Sequence, residues 1–334
     1  MEGNALQQRI LGKSGIKVSA LGLGCMGMSP GSYLYGRPDE SDSIKTIHKA
    51  FELGVNLFDT ADMYGMGHNE MLLGKVLKPF RNQVTISTKC GLVYSADGIS
   101  RNGKKAYIKK ACEASLARLE TDFIDLYYLH RLDPETPIEE SMEAMSELHQ
   151  AGKIRAVGLS EVDSKMIEKA NIVFPIAAVQ SEYSIIVRKA AESVLPTCKK
   201  LGIAFMPYSP IGRGFLSGKI QSIQEFESDD FRRGLPYLQD ENILYNLELV
   251  NTIGKIAKKT DRTSAQVSLA WLLAQDPHII PISGTTKVKH IQENVQAVEL
   301  ELSMAEIAEL NIACAQHPLK GERFPQGMEE WFVN

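Results

Sequence analysis

Four side chains that could together move a proton lie within the first 130 positions of the sequence. Asp59, Lys89 and His130 each end a short apolar run, and Tyr64 follows in a glycine-rich loop, MYGMGHN. A phenol is a weak acid at neutral pH, and a neighbouring ammonium favours its ionised form. Asp59 would keep Lys89 charged, and His130 would donate a hydrogen bond to an oxygen that becomes negative. The set suits proton delivery from Tyr64 to a carbonyl oxygen.

Each of these residues also has a structural interpretation. Asp59 with Thr60 is typical of an Asx turn, and the Lys89 side chain could extend its ammonium to solvent. His130 is also compatible with a buried core histidine. An exposed ring is the ordinary state of a tyrosine in a loop like that of Tyr64. Because such groups are costly to bury unless they are paired, the four are interpreted together.

Carbonyl reduction needs a hydride as well as a proton. No protein side chain donates hydride, so this chemistry requires a nicotinamide cofactor. Residues 21–28, LGLGCMGM, fit the dinucleotide-binding pattern G-x-G-x-x-G through Gly22, Gly24 and Gly27. That pattern works where a helix begins at once and an acid follows about 20 residues later. Here no helical pattern begins before about Ser41. We expect the glycines to form a tight first strand with a close backbone approach.

Short apolar runs that alternate with amphipathic stretches carry these residues. The runs predict buried parallel strands at 19–26, 55–60, 84–89, 123–130, 154–160, 176–181, 203–209 and 278–283. The amphipathic stretches predict helices at 41–54, 69–78, 104–119, 138–153, 163–171, 191–202, 264–275, 287–298 and 303–314. This alternation predicts an α/β fold, a (β/α)8 TIM barrel, in a single domain over residues 1–334. An open Rossmann sheet is the alternative architecture.

Two segments are predicted to be additions to the barrel. Residues 9–19, RILGKSGIKVS, predict an N-terminal β-hairpin, and residues 211–262, rich in glycine and charge, predict a large loop after strand seven. Catalytic groups of such barrels lie where the strands end. We therefore expect one polar site at the barrel mouth, built from the residues at the predicted strand ends: Asp59, Lys89, His130, Ser160, Gln180, Tyr208 and Ser209.

Composition narrows the classes of partner. The 334 residues are 44% hydrophobic and 23% charged, with a net charge of −4 and no long run of one sign. We expect no nucleic-acid and no membrane partner. Five scattered cysteines without a C-x-x-C pair predict neither disulfides nor zinc, which fits a cytoplasmic location. A metal-dependent barrel hydrolase would need more ligands at the strand ends than Asp59 and His130, so no metal site is predicted.

Seven segments resemble, in order and spacing, the aldo-keto reductases. They are FDTADMYGMGHNE (58–70), ISTK (86–89), LYYLHR (126–131), IRAVGLS (154–160), VQSEYS (179–184), MPYSPIGRGFLSGK (206–219) and PISGTTKVKHIQEN (281–294). The resemblance extends from residue 10 to about residue 313. It is closest to the plant and bacterial branch that includes auxin-induced-like reductases, and more distant to the voltage-gated potassium channel β subunits.

This resemblance implies an activity and a cofactor. The activity is NADPH-dependent reduction of a small-molecule aldehyde or ketone to an alcohol, with the tetrad Asp59, Tyr64, Lys89 and His130 and with Tyr64 as proton donor. NADPH would lie extended across the barrel mouth. The implied cofactor-binding residues are Met26, Gly27, Asp59, Ser160, Gln180, Tyr208, Ser209, Pro210, Ile211, Gly212, Arg213, Gly214, Lys219, Gly284, Thr285, Thr286, Lys287, His290, Glu293 and Asn294.

The implied contacts follow the cofactor from one end to the other. Ser160 and Gln180 would bind the carboxamide, and Tyr208 would stack on the nicotinamide ring. The segment SPIGRG with Lys219 would contact the pyrophosphate. Residues 284–294 would hold the adenosine end, where the helix that begins near Lys287 can also bind a phosphate.

Two positions depart from the family pattern. Glu161 stands where relatives commonly have Asn, so Ser160 and Gln180 are the expected carboxamide ligands. His290 stands where Arg often binds the 2′-phosphate of NADPH bidentately. A histidine is mostly neutral at pH 7, although Lys287 can supply charge. NADPH is nevertheless the expected cofactor.

A second function is compatible with the same residues. The potassium channel β subunits carry a similar tetrad, so the chain could be a nicotinamide-binding regulatory subunit with little turnover. The substrate would be set by loops, for which the sequence offers residues 91–105, residues 131–137 and five aromatic residues: Tyr33, Tyr35, Tyr94, Phe324 and Trp331.

Overall fold

The fold is a parallel β-barrel surrounded by helices. In a computed structural model, residues 6–30, 35, 38–95 and 98–328 are described. The strands, in chain order, are β1 (Gln8–Ile10), β2 (Lys17–Ser19), β3 (Gly22–Gly24), β4 (Leu57–Asp59), β5 (Thr85–Cys90), β6 (Leu92–Ser95), β7 (Gly98–Arg101), β8 (Ile124–Leu129), β9 (Ile154–Ser160), β10 (Ile176–Glu182), β11 (Ala204–Tyr208) and β12 (Ile282–Gly284).

Eight of these strands pair in parallel in the order β11-β10-β9-β8-β5-β4-β3-β12. The ring closes between its two ends at Phe205, which forms a parallel bridge with Ile279. There the Phe205 amide donates to His278 O at 2.9 Å, and the Ile280 amide donates to Phe205 O at 2.8 Å. The predicted TIM barrel is confirmed, and the open Rossmann sheet is excluded.

Helices follow the strands on the outside of the barrel. They are α1 (Glu40–Glu52), α2 (His68–Leu77), α3 (Lys105–Leu119), α4 (Ile138–Gln150), α5 (Ser164–Val173), α6 (Val194–Leu201), α7 (Asp240–Lys259), α8 (Ser264–Gln275), α9 (Val288–Val295) and α10 (Met304–Gln316). Each helix predicted from the sequence is present, with ends that differ by a few residues. Local caps fix several starts: Asp39 accepts from the amide of Asp42, and Thr263 and Gln266 form a capping box. No helix in the described ranges is both long enough and apolar enough to cross a membrane.

The insert after β11 differs from its prediction. Residues 211–262 are not one loop, because α7 occupies 20 of them. The buried side chains of α7 include Ile243, Leu249, Ile253 and Ile256, which recur at helical spacing and pack on the core. This apolar period is present in the sequence of residues 240–259, and the prediction of a single loop missed it. Residues 212–238 do lack long elements and contain four short 3₁₀ helices.

Two antiparallel hairpins flank the barrel. The predicted N-terminal hairpin pairs β1 with β2, and its residues Leu11 and Val18 join the apolar cluster inside the barrel, with Leu126 and Met206 among others. At the turn, Gly12 has φ +51° and lies so near β10 that a Cβ would meet Ala177 O at 2.5 Å. The hairpin therefore closes the N-terminal end of the barrel. The second hairpin, β6–β7, lies in a segment predicted as a loop.

The three glycines of residues 21–28 have different surroundings: Gly22 and Gly24 lie in β3, and Gly27 lies in a short 3₁₀ turn. A Cβ on Gly22 would lie 2.9 Å from a side-chain atom of Leu57 and 3.0 Å from one of Ile282. The expected close approach is therefore present at Gly22. It is wrong for Gly24 and Gly27, whose nearest neighbours would lie at ordinary contact distances of 3.7 and 3.4 Å.

Candidate active site

The C-terminal ends of β4, β5 and β8 bring four predicted site residues together. Lys89 Nζ donates to Asp59 Oδ1 at 2.6 Å and to Thr60 O at 2.7 Å. The same ammonium lies 3.5 Å from the Tyr64 hydroxyl. The rings of Tyr64 and His130 meet edge to face, with centroids 5.9 Å apart. A phenol, an ammonium and an imidazole thus share one corner of the barrel mouth.

The Lys89 side chain is fully buried, with 0% of its surface exposed. Burial alone would lower the pKa of Lys89, but the carboxylate of Asp59 and the phenol of Tyr64 outweigh that effect and raise it. Asp59 is held in turn at its other oxygen, which accepts from Ser87 at 2.7 Å and from Gln180 at 3.0 Å. Lys89 is therefore a fixed positive charge beside the Tyr64 hydroxyl.

The protonation of Tyr64 differs from what the sequence suggested. We expected the nearby ammonium to lower the pKa of the Tyr64 phenol. Burial raises this pKa instead, and Lys89 offsets the rise only in part. The phenol therefore keeps its proton at neutral pH, as a proton donor must. The predicted effect of Lys89 has the right sign, but desolvation is larger.

His130 is held as a neutral imidazole. Burial, followed by the charges of Arg131 and Lys89, moves the pKa of His130 well below its ordinary value. Its Nδ1 is buried and has no hydrogen-bond partner within the described ranges. A buried polar atom without a partner is costly, so the structure holds the His130 ring at some expense in stability.

A buried network that sequence reasoning missed supports the Tyr64 loop. The Asn69 amide accepts from Thr60 at 2.6 Å and donates to Cys25 O and to Ser29 at 2.8 Å each. Asn69 therefore ties the start of α2 to the ends of β3 and β4. The available signal was the polar pair Asn69-Glu70 at the start of a helix whose next residues are apolar.

Glu70 makes the matching connection to β5. Thr88, next to Lys89, donates to one oxygen of Glu70 at 2.6 Å, and Arg118 of α3 donates to the other at 2.6 Å. Glu70 is fully buried, and both of its carboxylate oxygens have partners. The Tyr64 loop is thus held between strand β5 and helix α3.

A cavity of about 780 Å³ opens at this end of the barrel. Its lining includes Tyr64, His130 and nearly all of the implied cofactor-binding positions: Met26, Gly27, Asp59, Ser160, Gln180, Tyr208, Ser209, Pro210, Ile211, Arg213, Gly214, Lys219, Gly284, Thr285, Thr286, Lys287, His290, Glu293 and Asn294. Lys89 is fully buried and is not among the described lining residues. Gly212 is not part of the described lining; a Cβ there would meet Ile186 at 2.9 Å. Within the described residues, no cluster of three or more His, Cys, Asp or Glu could hold a metal ion.

Three side chains implied as cofactor ligands already have protein partners. The Ser160 hydroxyl accepts from Arg131 at 3.0 Å, and Gln180 donates to Asp59. The Arg213 guanidinium binds both oxygens of Glu182, at 2.6 and 3.2 Å. The Arg213 guanidinium is therefore paired within the protein, and its proposed contact with the pyrophosphate stays a prediction.

The far end of the cavity carries three cationic or titratable groups. Lys287 Nζ lies 2.9 Å from Asp42 of α1, an exposed pair. His290 Nδ1 is 3.4 Å from the Thr285 hydroxyl. Partial burial, with the charge of Lys219 next, lowers the pKa of His290. His290 is therefore neutral at pH 7, and Lys219 and Lys287 carry the positive charge there.

The aromatic residues suggested for the substrate loops fall into three groups. Tyr35 and Phe324 line the cavity. Tyr94 is 46% exposed and is not among the described lining residues, so that suggestion is wrong. Tyr33 and Trp331 lie outside the described residues. From the β6–β7 hairpin, Leu92 and Ile99 contribute instead.

Comparison with known proteins identifies the family. The model of the aldo/keto reductase family matches residues 20–314. The chain belongs to the aldo/keto reductase family. It is therefore an oxidoreductase of a family whose general activity is NADP-dependent carbonyl reduction. Members of the family generally use NAD(P)H.

Individual relatives cover almost the whole chain. "Aldo-keto reductase yakc" of Schizosaccharomyces pombe, whose name specifies NADP(+), is 41% identical over 93% of this chain and 92% of its own. "Probable aldo-keto reductase 1" of Glycine max is 38% identical over 96% of this chain and 92% of its own. The structure of a glycerol dehydrogenase from Gluconobacter oxydans superposes with a TM-score of 0.85 at 30% identity, covering 96% of this chain and 98% of its own. This superposition extends over the barrel that carries the candidate site.

Proposed function

We propose that the protein reduces aldehydes or ketones to alcohols with NADPH, and that Tyr64 gives the proton to the carbonyl oxygen. The observation that carries the proposal is the position of Lys89 Nζ, between the Asp59 carboxylate at 2.6 Å and the Tyr64 hydroxyl at 3.5 Å. Tyr64 itself lines a cavity of about 780 Å³, large enough for a cofactor and a small carbonyl compound.

The side chains divide the proton chemistry among them. Tyr64 holds the proton in the ground state, because burial raises the pKa of its phenol. As the proton leaves, the fixed charge of Lys89 stabilises the phenolate that forms. His130, which is neutral, can donate one hydrogen bond to the carbonyl oxygen and so orient it toward Tyr64. Asp59 keeps Lys89 charged and in place.

The cavity residues fit a nicotinamide cofactor, which would supply the hydride that no side chain provides. Tyr208 lies at the end of β11, and its hydroxyl is buried with no partner in the described part of the chain. Ser160 accepts from Arg131, so its own hydroxyl hydrogen remains available to a carboxamide oxygen. We therefore propose Ser160, Gln180 and Tyr208 for the nicotinamide end and residues 284–294 for the adenosine end.

The proposed preference for NADPH rests on charge. Lys219 and Lys287 line the far end of the cavity together with His290. Two ammonium groups favour the additional phosphate of NADPH over the bare ribose of NADH. The name of the S. pombe relative, which specifies NADP(+), agrees with this preference for that protein.

The experiment is a steady-state assay of NADPH oxidation with simple aldehydes, on the wild type and on Tyr64→Phe. We expect the variant to lose about 10³-fold in kcat, in line with the loss of a general acid. The dissociation constant for NADPH, measured by cofactor fluorescence, should stay within about twofold. Tyr94→Phe is the matched control, since the Tyr94 ring is outside the described lining and the variant should retain full activity.

Two outcomes contradict the proposal in different ways. Unchanged turnover in Tyr64→Phe would remove Tyr64 as the proton donor. Turnover near zero in the wild type on every carbonyl, with tight NADPH binding, would instead favour the regulatory-subunit alternative.

A further inference from the structure

Four charged side chains form a buried cluster beside the cavity, outside the Asp59–Lys89 group. Glu182, at the end of β10, accepts hydrogen bonds from both Nη atoms of Arg213, and its carboxylate lies 3.6 Å from Arg323 Nε. Glu161, just after β9, accepts from Arg323 Nη2 at 3.3 Å and from the Glu182 amide at 2.8 Å. The two carboxylates and two guanidinium groups balance in formal charge.

The cluster joins segments that are far apart in the sequence. Glu161 and Glu182 belong to the rigid barrel, Arg213 to the first turn of the insert, and Arg323 to the C-terminal segment after α10. Both glutamates are buried. Because removing one partner leaves a buried charge uncompensated, the cluster fixes the position of the segments it joins. It also explains why Glu161 replaces the Asn common at this position: its carboxylate points to Arg323.

Arg323 in particular fixes the place of its neighbour Phe324. The Phe324 ring is 8% exposed and lines the cavity. Its centroid lies 4.9 Å from Arg213 Cζ and 5.4 Å from Arg323 Cζ, so the ring is held by both guanidinium groups of the cluster. Glu182 pairs in register with Tyr208 across β10 and β11, and Tyr208 lines the cavity together with Phe324, so this wall lies at the Tyr208 end of the cavity.

We infer that Arg323 is a specificity-determining positioning residue, which holds Phe324 through Glu161 and Glu182 as the apolar wall for the substrate. The inference rests on the proposed carbonyl reduction and names its substrate class, aldehydes with a bulky apolar or aromatic group. Such a group packs on Phe324, whereas a short aliphatic aldehyde does not reach it. Arg323 itself contacts neither the reacting carbonyl nor Tyr64.

The test compares benzaldehyde with propanal on four proteins: the wild type, Arg323→Met, Phe324→Ala and the double variant. We expect Arg323→Met to raise KM for benzaldehyde about tenfold and KM for propanal less than about twofold, the scale of an apolar pocket contact. The kcat for both aldehydes and the dissociation constant for NADPH should change by less than about twofold, because Tyr64, Lys89 and His130 are untouched.

The double variant distinguishes positioning from a general loss of structure. If Arg323 acts through Phe324, Arg323→Met/Phe324→Ala is no worse for benzaldehyde than either single variant. Arg323→Lys keeps the positive charge, so its KM for benzaldehyde should lie between those of the wild type and Arg323→Met. This variant also tests the inference if Arg323→Met folds poorly. Arg155→Met is the control, because Arg155 forms an ion pair with Asp125 far from the cavity. In this variant Asp125 still has its second ion pair, with Arg81 at 2.8 Å.

The outcomes separate this inference from the proposed function. Equal KM changes for the two aldehydes, or effects that simply add in the double variant, would overturn the role of Arg323 while leaving carbonyl reduction intact. A wild type that reduces neither aldehyde would overturn the proposed function, and the substrate wall with it.

Discussion

At the scale of single residues, the site depends on charges that burial controls. Lys89 is fully buried and stays charged because Asp59 is 2.6 Å away, whereas His130 is buried beside positive charge and is neutral. Tyr64, between them, keeps its proton. The Lys89 ammonium thus offsets in part the rise in the pKa of the Tyr64 phenol, and it also helps to lower the pKa of the His130 imidazole.

Asp62, two residues before Tyr64, gives a prediction about pH. Burial, with the nearby charge of Glu70, raises the pKa of Asp62 from 3.8 to about 8. The folded protein therefore binds a proton here that the unfolded chain releases, so stability falls as pH rises between these values. Asp62→Asn should remove this loss. The free energy of unfolding of the variant should therefore rise relative to that of the wild type by up to about 1.4 kcal/mol per pH unit between pH 5 and 8.

Urea denaturation of both proteins at several pH values measures the effect of Asp62. Asp122→Asn, at an exposed position, is the control and should follow the wild type. Parallel stability curves for Asp62→Asn and the wild type would show that Asp62 ionises normally in the folded protein.

His290 gives a prediction about the cofactor. His290 is neutral at pH 7, because burial and neighbouring lysines lower its pKa. In His290→Arg a permanent charge with two parallel donors replaces it, so the ratio of kcat/KM for NADPH to that for NADH should rise about tenfold. His149→Arg, on the exposed side of α4, should leave the ratio unchanged. A constant ratio in His290→Arg would place the 2′-phosphate elsewhere.

At the scale of elements, the loop that carries Tyr64 is shaped by backbone geometry. Gly65, Met66 and Gly67 have positive φ values of 57°, 52° and 90° in succession. A Cβ on Gly67 would lie 2.5 Å from Arg118 Cδ, and the same guanidinium binds Glu70. The loop therefore depends on a glycine where Arg118 crosses it.

Gly67→Ala tests this dependence against Gly152→Ala. Gly152 has φ +72° and nothing within 4 Å of an added Cβ, so its substitution costs only backbone strain of about 1–2 kcal/mol. Gly67→Ala adds a displacement of Arg118 from Glu70, and should lower kcat about tenfold or more as the phenol shifts. Chemical denaturation of both variants measures the free energy of unfolding, and steady-state kinetics measures kcat. If the two variants behave alike, Arg118 does not brace the loop.

At the scale of the whole molecule, periodicity predicted the barrel well. Every residue of β5 and β8 and six of the seven residues of β9 are buried, as expected of strands covered on both faces, and the predicted strand ends supplied Asp59, Lys89 and His130. The prediction missed helix α7 because it rested on the glycine and charge content of the whole insert, and it likewise missed the β6–β7 hairpin. Long-range pairs such as Arg323 with Glu161 escape any local pattern, since only the fold brings them together.

The net protonation of Tyr64 was unpredictable for a related reason. Spacing shows that an ammonium can be near a phenol, but the larger effect is the loss of water around the ring, which depends on everything packed above it. The single-domain prediction for residues 1–334, the cytoplasmic location and the roles of the site residues remain predictions.

The junction at Phe205 has a consequence for how cofactor and fold support each other. Between β11 and the segment just before β12, two backbone hydrogen bonds at Phe205 close the described ring, so we expect the ring to open more readily here than along its longer strand ladders. The proposed nicotinamide contacts follow β11 and the proposed adenosine contacts follow β12. A dinucleotide bound at both ends would connect the two strands across this junction, and the tighter it is bound, the more rarely the ring would open.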